Sequence, residues 1–170
     1  MKTVIVDNKN LIVNIVEESY YPAENRREYY PWNKIGAIYT SDEPLFYAQK
    51  RYINDAGAEF ARRRDAIRWV EIDGFVCGFD CAVDDITNFM AAYTPLLIAQ
   101  AGKTGYKVWL DENTKGLKEL TYDDMRKAYD TVRTSQLEAY AWYENIKARL
   151  LAVTEAEGKE KLEEIFPIGE

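Results

Sequence analysis

Residues 125–153 read MRKAYDTVRTSQLEAYAWYENIKARLLAV, and this stretch decides the fold. Met125, Tyr129, Val132, Gln136, Ala139, Tyr143, Ile146, Leu150 and Val153 recur at alternating spacings of four and three. That is a heptad pattern sustained for about four repeats, the signature of a long helix in coiled-coil-like or bundle packing. Such a helix-packing seam, with Gln136 as its polar member, must lie along a partner, either another helix of the same chain or a second copy. Leu137, Tyr140, Trp142 and Leu151 are apolar but fall off the seam. They predict a helix buried on more than one side. One side would meet Phe46, Ile53 and Phe60 of an earlier helix, and the other the hairpins or another subunit.

Upstream of the seam, Thr121 suits the N-cap, with Asp123 and Asp124 offsetting the exposed amides of the first turn. Residues 106–110 and 117–120 predict two strands joined by a turn at 111–116, after a break at 102–105. A helix is expected over about 84–101, kinked or divided at Pro95. Before it, Arg68–Ile72 and Phe75–Phe79 flank Asp73-Gly74. Asp-Gly between two β-prone runs marks a hairpin, because a type I′ turn needs positive φ at both central residues.

An earlier helix should begin near Ser41-Asp42-Glu43-Pro44 and run to about residue 68, with Gly57 as a site of bending or close packing. The N-terminus predicts a hairpin of residues 3–6 and 11–16. An ordered aromatic loop should follow, rich in Tyr, Pro and mixed charge, and then a short strand over 35–39. A short helix is expected at 155–165 and a loose tail after it. Hairpins interleaved with helices give an α+β fold. The expected division is residues 1–42 as hairpin and aromatic loop, 43–165 as the helical and hairpin domain, and 166–170 as a tail.

Bulk properties narrow the function. The chain has 170 residues, 47% of them hydrophobic, with 22 basic and 29 acidic side chains, a net charge of −7 and no histidine. An acidic surface repels phosphate backbones, so no nucleic-acid partner is expected. The local exception, Arg62, Arg63, Arg64 and Arg68, reads more simply as a solvated helix face. No apolar run is long enough to cross a bilayer, and the first residues turn polar too quickly for a signal peptide. The expectation is synthesis in a cytoplasm and no membrane partner. Cys77 and Cys81 lack the spacing and the histidines for zinc or a redox motif, so they read as buried thiols.

Residues 60 to about 165 resemble a domain of unknown function that recurs near the C-terminus of tailed-bacteriophage tail-fibre and related tail proteins. The resemblance lies in Arg62-Arg63-Arg64-Asp65-Ala66-Ile67, the hairpin end Gly78-Phe79-Asp80, and Asp84-Asp85-Ile86 opening a helix. It continues through Val108-Trp109, Leu120-Thr121 with Asp123-Asp124, and the stretch from Leu151-Ala152-Val153-Thr154 to Leu162 and Ile165. The N-terminal run Val4 to Ile15 is similar to the starts of small phage tail accessory proteins. The resemblance implies a virion tail component made in the host bacterial cytoplasm, with other tail or baseplate proteins and its own copies as partners. It implies a structural or fibre-attachment role, or alternatively a tail-fibre assembly chaperone, and brings no catalytic residues or cofactor. The chain lacks the repetitive shaft and receptor-binding tip of a full fibre protein.

Among candidate sites, Asp80, Asp84 and Asp85 are close in sequence, but the twelve-residue calcium loop is missing, and helix capping explains them better. A carboxylate pair acting on a glycan would need a pair that the sequence singles out, and it singles out none. The cysteines have no histidine to activate them. No catalytic or metal residue is therefore nominated. The aromatic loop residues Tyr20, Tyr21, Tyr29, Tyr30 and Trp32 form the candidate protein interface, with stacking on sugars as a second possibility. The plainer account is that these rings cover the face of the N-terminal hairpin.

Overall fold

The computed structural model describes residues 2–17, 24 and 26–167. The protein is α+β: helices make up 48% and antiparallel sheets 24%. It divides into two compact units, residues 1–52 with 150–170, and residues 53–149. These boundaries fall inside two helices rather than at the expected junction near residue 42.

In the first unit, β1 (Thr3–Val6) is the centre of a three-stranded sheet ordered β2-β1-β3. It pairs antiparallel with β2 (Ile12–Val16), with a register shift between Ile5 and Val6. The turn is closed by Asp7, whose Oδ1 accepts the amides of Lys9 and Leu11 at 2.8 and 2.9 Å. This short carboxylate caps its own turn, an Asx-type device. The other edge is β3 (Arg26–Glu28), paired with β1 through Val4↔Arg27. This strand lies inside the segment expected to be a loop. Backbone pairing does not require apolar side chains at a sheet edge, and charge there discourages further strand addition.

The strand expected over residues 35–39 is not formed. Gly36 sits at φ 86°, and only an isolated bridge, Leu11↔Ile38, remains. Ile35 and Ile38 are both more than 60% exposed, so no burial drives the segment into a ladder. Val4, Val6 and Ile12 form the small core, with Ile15, Tyr29 and Tyr39 packed against it.

Helix α1 (Leu45–Asp65) starts just after Pro44, whose carbonyl accepts the amides of Tyr47 and Ala48. It ends three residues short of the expected limit because β4 (Arg68–Ile72) begins there. In the first unit, Gln49 Nε2 donates to the carbonyls of Leu150 and Val153, each at 3.0 Å. These belong to the end of α3 (Tyr122–Ala152) and the residue after it, where carbonyls have no intrahelical partner. A turn closed by Thr154 and Glu157 leads through Gly158, at φ 76°, to α4 (Glu160–Ile165).

In the second unit, β4 and β5 (Phe75–Phe79) form the expected hairpin, with Asp73 at φ 48° and Gly74 at φ 77°. The sheet continues to β6 (Lys103–Trp109) and β7 (Lys115–Thr121) in the order β4-β5-β6-β7. Strand β6 starts earlier than expected. Only Gly102, at φ 100°, breaks the chain, while Gly105 is paired within the strand opposite Glu119.

Helix α2 (Val83–Ala99) passes through Pro95 undivided. Pro95 and Ala91 are both exposed, so the carbonyl that the proline leaves without a donor lies on the solvent side of the helix. The inward side chains of the sheet, among them Val70, Phe79, Val108 and Leu120, share one core with Phe89, Tyr93, Met125 and Val132 of the helices. Entry to α3 is fixed by a reciprocal cap. The amide of Asp124 donates to Thr121 Oγ1 at 3.3 Å, and the amide of Thr121 donates to Asp124 Oδ2 at 2.8 Å.

Candidate functional site

Tyr20 and Tyr21 lie outside the described residues. Of the other aromatic candidates, Tyr29 packs against the small core of the first unit, as expected of a ring that covers the hairpin. Tyr30 and Trp32 do something different. Their rings stack at 4.9 Å and 8° between planes, and Trp32 continues onto Tyr47 at 5.8 Å. The turn beneath is held by buried Asn33, whose Oδ1 accepts the Tyr30 amide and whose Nδ2 donates to the Thr40 carbonyl. Trp32 Nε1 donates to the same carbonyl at 3.1 Å. The Tyr30 hydroxyl donates to Glu28, and that hydrogen bond, with burial as a smaller cause, raises its pKa. The result is a pre-set aromatic ledge with indole and phenol edges partly exposed.

Every seam position of α3 is buried or half-buried. In the second unit, Met125 and Val132 enter the core, and Tyr129 meets Tyr93 at 5.8 Å. Tyr143 stacks on Phe60 at 5.1 Å and lies over Gly57 of α1. Ala139 and Ile146 are buried as well, and in the first unit so are Leu150 and Val153. Gln136 donates through Nε2 to the carbonyl of Cys81 at 3.4 Å.

Of the off-seam positions, Trp142 is half-buried with the Arg63 guanidinium 4.0 Å over its ring, whereas Leu137, Tyr140 and Leu151 are each at least half exposed within the chain. Phe46 is also exposed at 67%, whereas Phe60 packs against Tyr140 and Tyr143 as expected of a helix partner.

The arginine run is partly neutralised, by two carboxylates. Arg62 and Arg63 both bind the Glu59 carboxylate at 2.7 Å, and Arg64 binds Asp65. Hydrogen bonds from Arg62 and then Arg63 hold Glu59 down at about 2. Arg68 turns inward to Ser135 and the Ala66 carbonyl.

Asp80 is not a helix cap. Its two oxygens take Trp109 Nε1 at 2.8 Å and Lys115 Nζ at 2.6 Å, and Lys115 also sits 4.4 Å over the Trp109 ring. Among the described residues no cluster of His, Cys, Asp and Glu could hold a metal ion. Cys77 and Cys81 are buried free thiols, and burial pushes the Cys81 pKa up, which suppresses thiolate chemistry. No helix among the described residues is long and apolar enough to cross a membrane.

The sequence did not indicate a groove between α2 and α3. A cavity of about 350 Å³ is walled by Ile86, Phe89, Met90, Tyr129 and Val132, with Arg133 on its lip. A second depression of about 260 Å³ adjoins it, bounded by Val83, Thr87, Tyr140 and Arg64. The two depressions share Ile86 and Gln136 in their walls. Nothing in the spacing of the apolar residues of α2 shows that α3 leaves part of them uncovered. No protein-family model, curated protein or solved structure matches the chain.

Proposed function

We propose that this chain is a non-enzymatic component of a bacteriophage tail, structural or fibre-attaching, that works through protein–protein contacts. The observation that carries the reading is the two-sidedness of α3. Its seam is buried, while Leu137 and Tyr140 outside the seam are at least half exposed. A rigid helix that presents large apolar side chains to water is suited to a partner surface. The resemblance of residues 60 to about 165 to tail-fibre-associated domains supplies the biological setting. The stacked Tyr30–Trp32 pair offers a second contact element, and self-association into a homo-oligomer fits the symmetry of tails.

Mass spectrometry of purified virions, with light scattering of the isolated protein, tests the proposal. The expected result is a particle-borne protein that is oligomeric or bound to a neighbour. A strictly monomeric protein missing from particles would overturn it. If the protein is missing from particles but its co-expression rescues fibre solubility, the role is that of an assembly chaperone.

A further inference from the structure

The sheet of the second unit has one face that the chain leaves uncovered. Side chains alternate along a strand, so the register shows which of them share a face. Val70, Cys77, Val108 and Leu120 enter the core. The residues between them face the other way: Trp69 opposite Gly78, Gly78 beside Trp109, Lys107 opposite Leu117. On this outer face Trp69 is 41%, Val76 56% and Leu117 79% exposed. A solvated antiparallel face ordinarily presents polar side chains. Two glycines also flatten it. Trp69 Cζ3 lies 3.1 Å from where a Cβ of Gly78 would stand, and Leu117 lies 3.5 Å from that of Gly105. With no side chain beneath them, the indole and the leucine lie down on the sheet. A flat apolar face is what one sheet offers when another packs on it at about 10 Å.

Charge selects the occupant. Lys103 is bound to Glu119 at 2.9 Å, and Lys115 to Asp80, just past β5, at 2.6 Å. That leaves Glu71 and Lys107, both exposed and neither in an ion pair with a described residue. Lys118 belongs to the other face, 4.2 Å over the Phe75 ring, and Asp73, Asp111 and Glu112 lie in the turns beyond the strands. The face is therefore neutral, in a chain whose net charge is −7. It has no net field to attract a strongly charged partner, and it is a place where two acidic copies can meet without repulsion. One unpaired acid and one unpaired base make it complementary to itself. In an isologous contact residue i meets j and j meets i, so a single Glu71–Lys107 match is made twice.

We propose that the outer face of this sheet is a self-interface, on which a second copy of the chain packs about a twofold axis, with Trp69, Val76 and Leu117 buried between the copies and Glu71 of each against Lys107 of the other. The proposal rests on the contact-protein reading and names the surface through which copies meet.

Sedimentation equilibrium of the full chain should show monomers and dimers exchanging in the micromolar range. Glu71→Lys and Lys107→Glu, each at an exposed position, should each weaken the dimer at least about tenfold, because each sets two like-charge pairs across the axis. Circular dichroism of either variant should match the parent. Mixing the two variants one to one should restore the parent affinity, since every pair across the axis then joins opposite charges. A chain that stays monomeric over that range, a dimer that survives either reversal, or a mixture no tighter than its components would overturn the proposal. The first of these is the result expected if a different protein or a glycan occupies the face. Virion mass spectrometry reads the tail assignment separately: a monomeric chain found in particles would remove this interface and leave that assignment standing.

Discussion

Gly78→Ala should destabilise the protein, although Ala is the better strand residue in isolation. Gly78 lies mid-strand in β5, paired with Trp69 on one side and Trp109 on the other. Its φ is not in the left-handed region, so Ala meets no backbone strain. The obstacle is space. A Cβ there would sit 2.9 Å from Ile67 Cγ2, 2.9 Å from Trp109 Cβ and 3.1 Å from Trp69 Cζ3. Carbon atoms prefer about 3.5–4.0 Å. The Trp109 Cβ belongs to the β6 backbone frame and cannot swing away, so strands must shift. Overpacking of this kind costs about 1–3 kcal/mol. The lower unfolded-state entropy of Ala offsets about 0.4–1 kcal/mol. The net loss should be about 1–2 kcal/mol, or a fall of about 2–8 °C in Tm for a chain of this size. Gly57→Ala is the matched control. Its Cβ would meet only Tyr143, at 3.9 Å, inside a helix, so it should stabilise by about 0.5–1 kcal/mol. Urea melts followed by circular dichroism would show the midpoints moving in opposite directions at constant m. If Gly78→Ala left the midpoint unchanged or raised it, steric filling between the two tryptophans would not be the reason for glycine there.

Thr121→Ala removes one half of the reciprocal cap on α3 and should cost about 1 kcal/mol, whereas Thr121→Ser should cost much less; thermal melts decide this. Glu59 has a folded pKa of about 2 against a reference value of 4.5, so its pairing with Arg62 and Arg63 contributes above about pH 4.5 and is lost as pH falls towards 2. Because both arginines are substantially exposed, that contribution should be only about 1 kcal/mol. Glu59→Gln should therefore lower stability by about that amount at neutral pH and above, meet the parent protein as pH falls towards 2, and so flatten the acid limb of the stability curve. Cys77 and Cys81, each 1% exposed, should react with a thiol reagent such as DTNB only at the rate of unfolding, and prompt labelling of the native protein would contradict their burial.

Local chemistry was the legible part of the sequence. The Asp73-Gly74 turn, the Thr121 cap and the heptad of α3 each depend on residues within one or two turns of each other, and all three are present. The discrepancies occur where a distant partner decides. Strand β3 forms because β1 has a free edge, which the Arg-Arg-Glu sequence cannot announce. Residues 35–39 have strand-like composition and reach the edge of β2 through backbone hydrogen bonds to Asn10 and Ile12, but Gly36 turns them aside and a single bridge is all that forms. Apolar residues off the α3 seam predicted burial, yet composition says only that a side chain dislikes water, not that the chain supplies a cover. Of the aromatic candidates, Tyr29 went to the core and Tyr30 with Trp32 to a surface stack, a division that depends on the turn at Asn33.

Gln136 connects the legible seam to the illegible groove. In a heptad seam a polar side chain cannot interdigitate as Leu would, because its amide must keep a hydrogen-bonding partner. Gln136 finds one in the Cys81 carbonyl, at 3.4 Å, the long end of a useful hydrogen bond. Next along the seam, Val132 and Ala139 are buried on either side. At Gln136 itself α2 and α3 fail to close, and both depressions touch that residue. A Leu at this position would place apolar bulk where the two depressions meet and remove the need for the Cys81 carbonyl. The polar residue thus keeps the helices engaged at some cost in packing, and both depressions open beside it. Seam polarity, read in sequence only as a sign of a partner along the helix, marks in three dimensions the place where the chain leaves room for one.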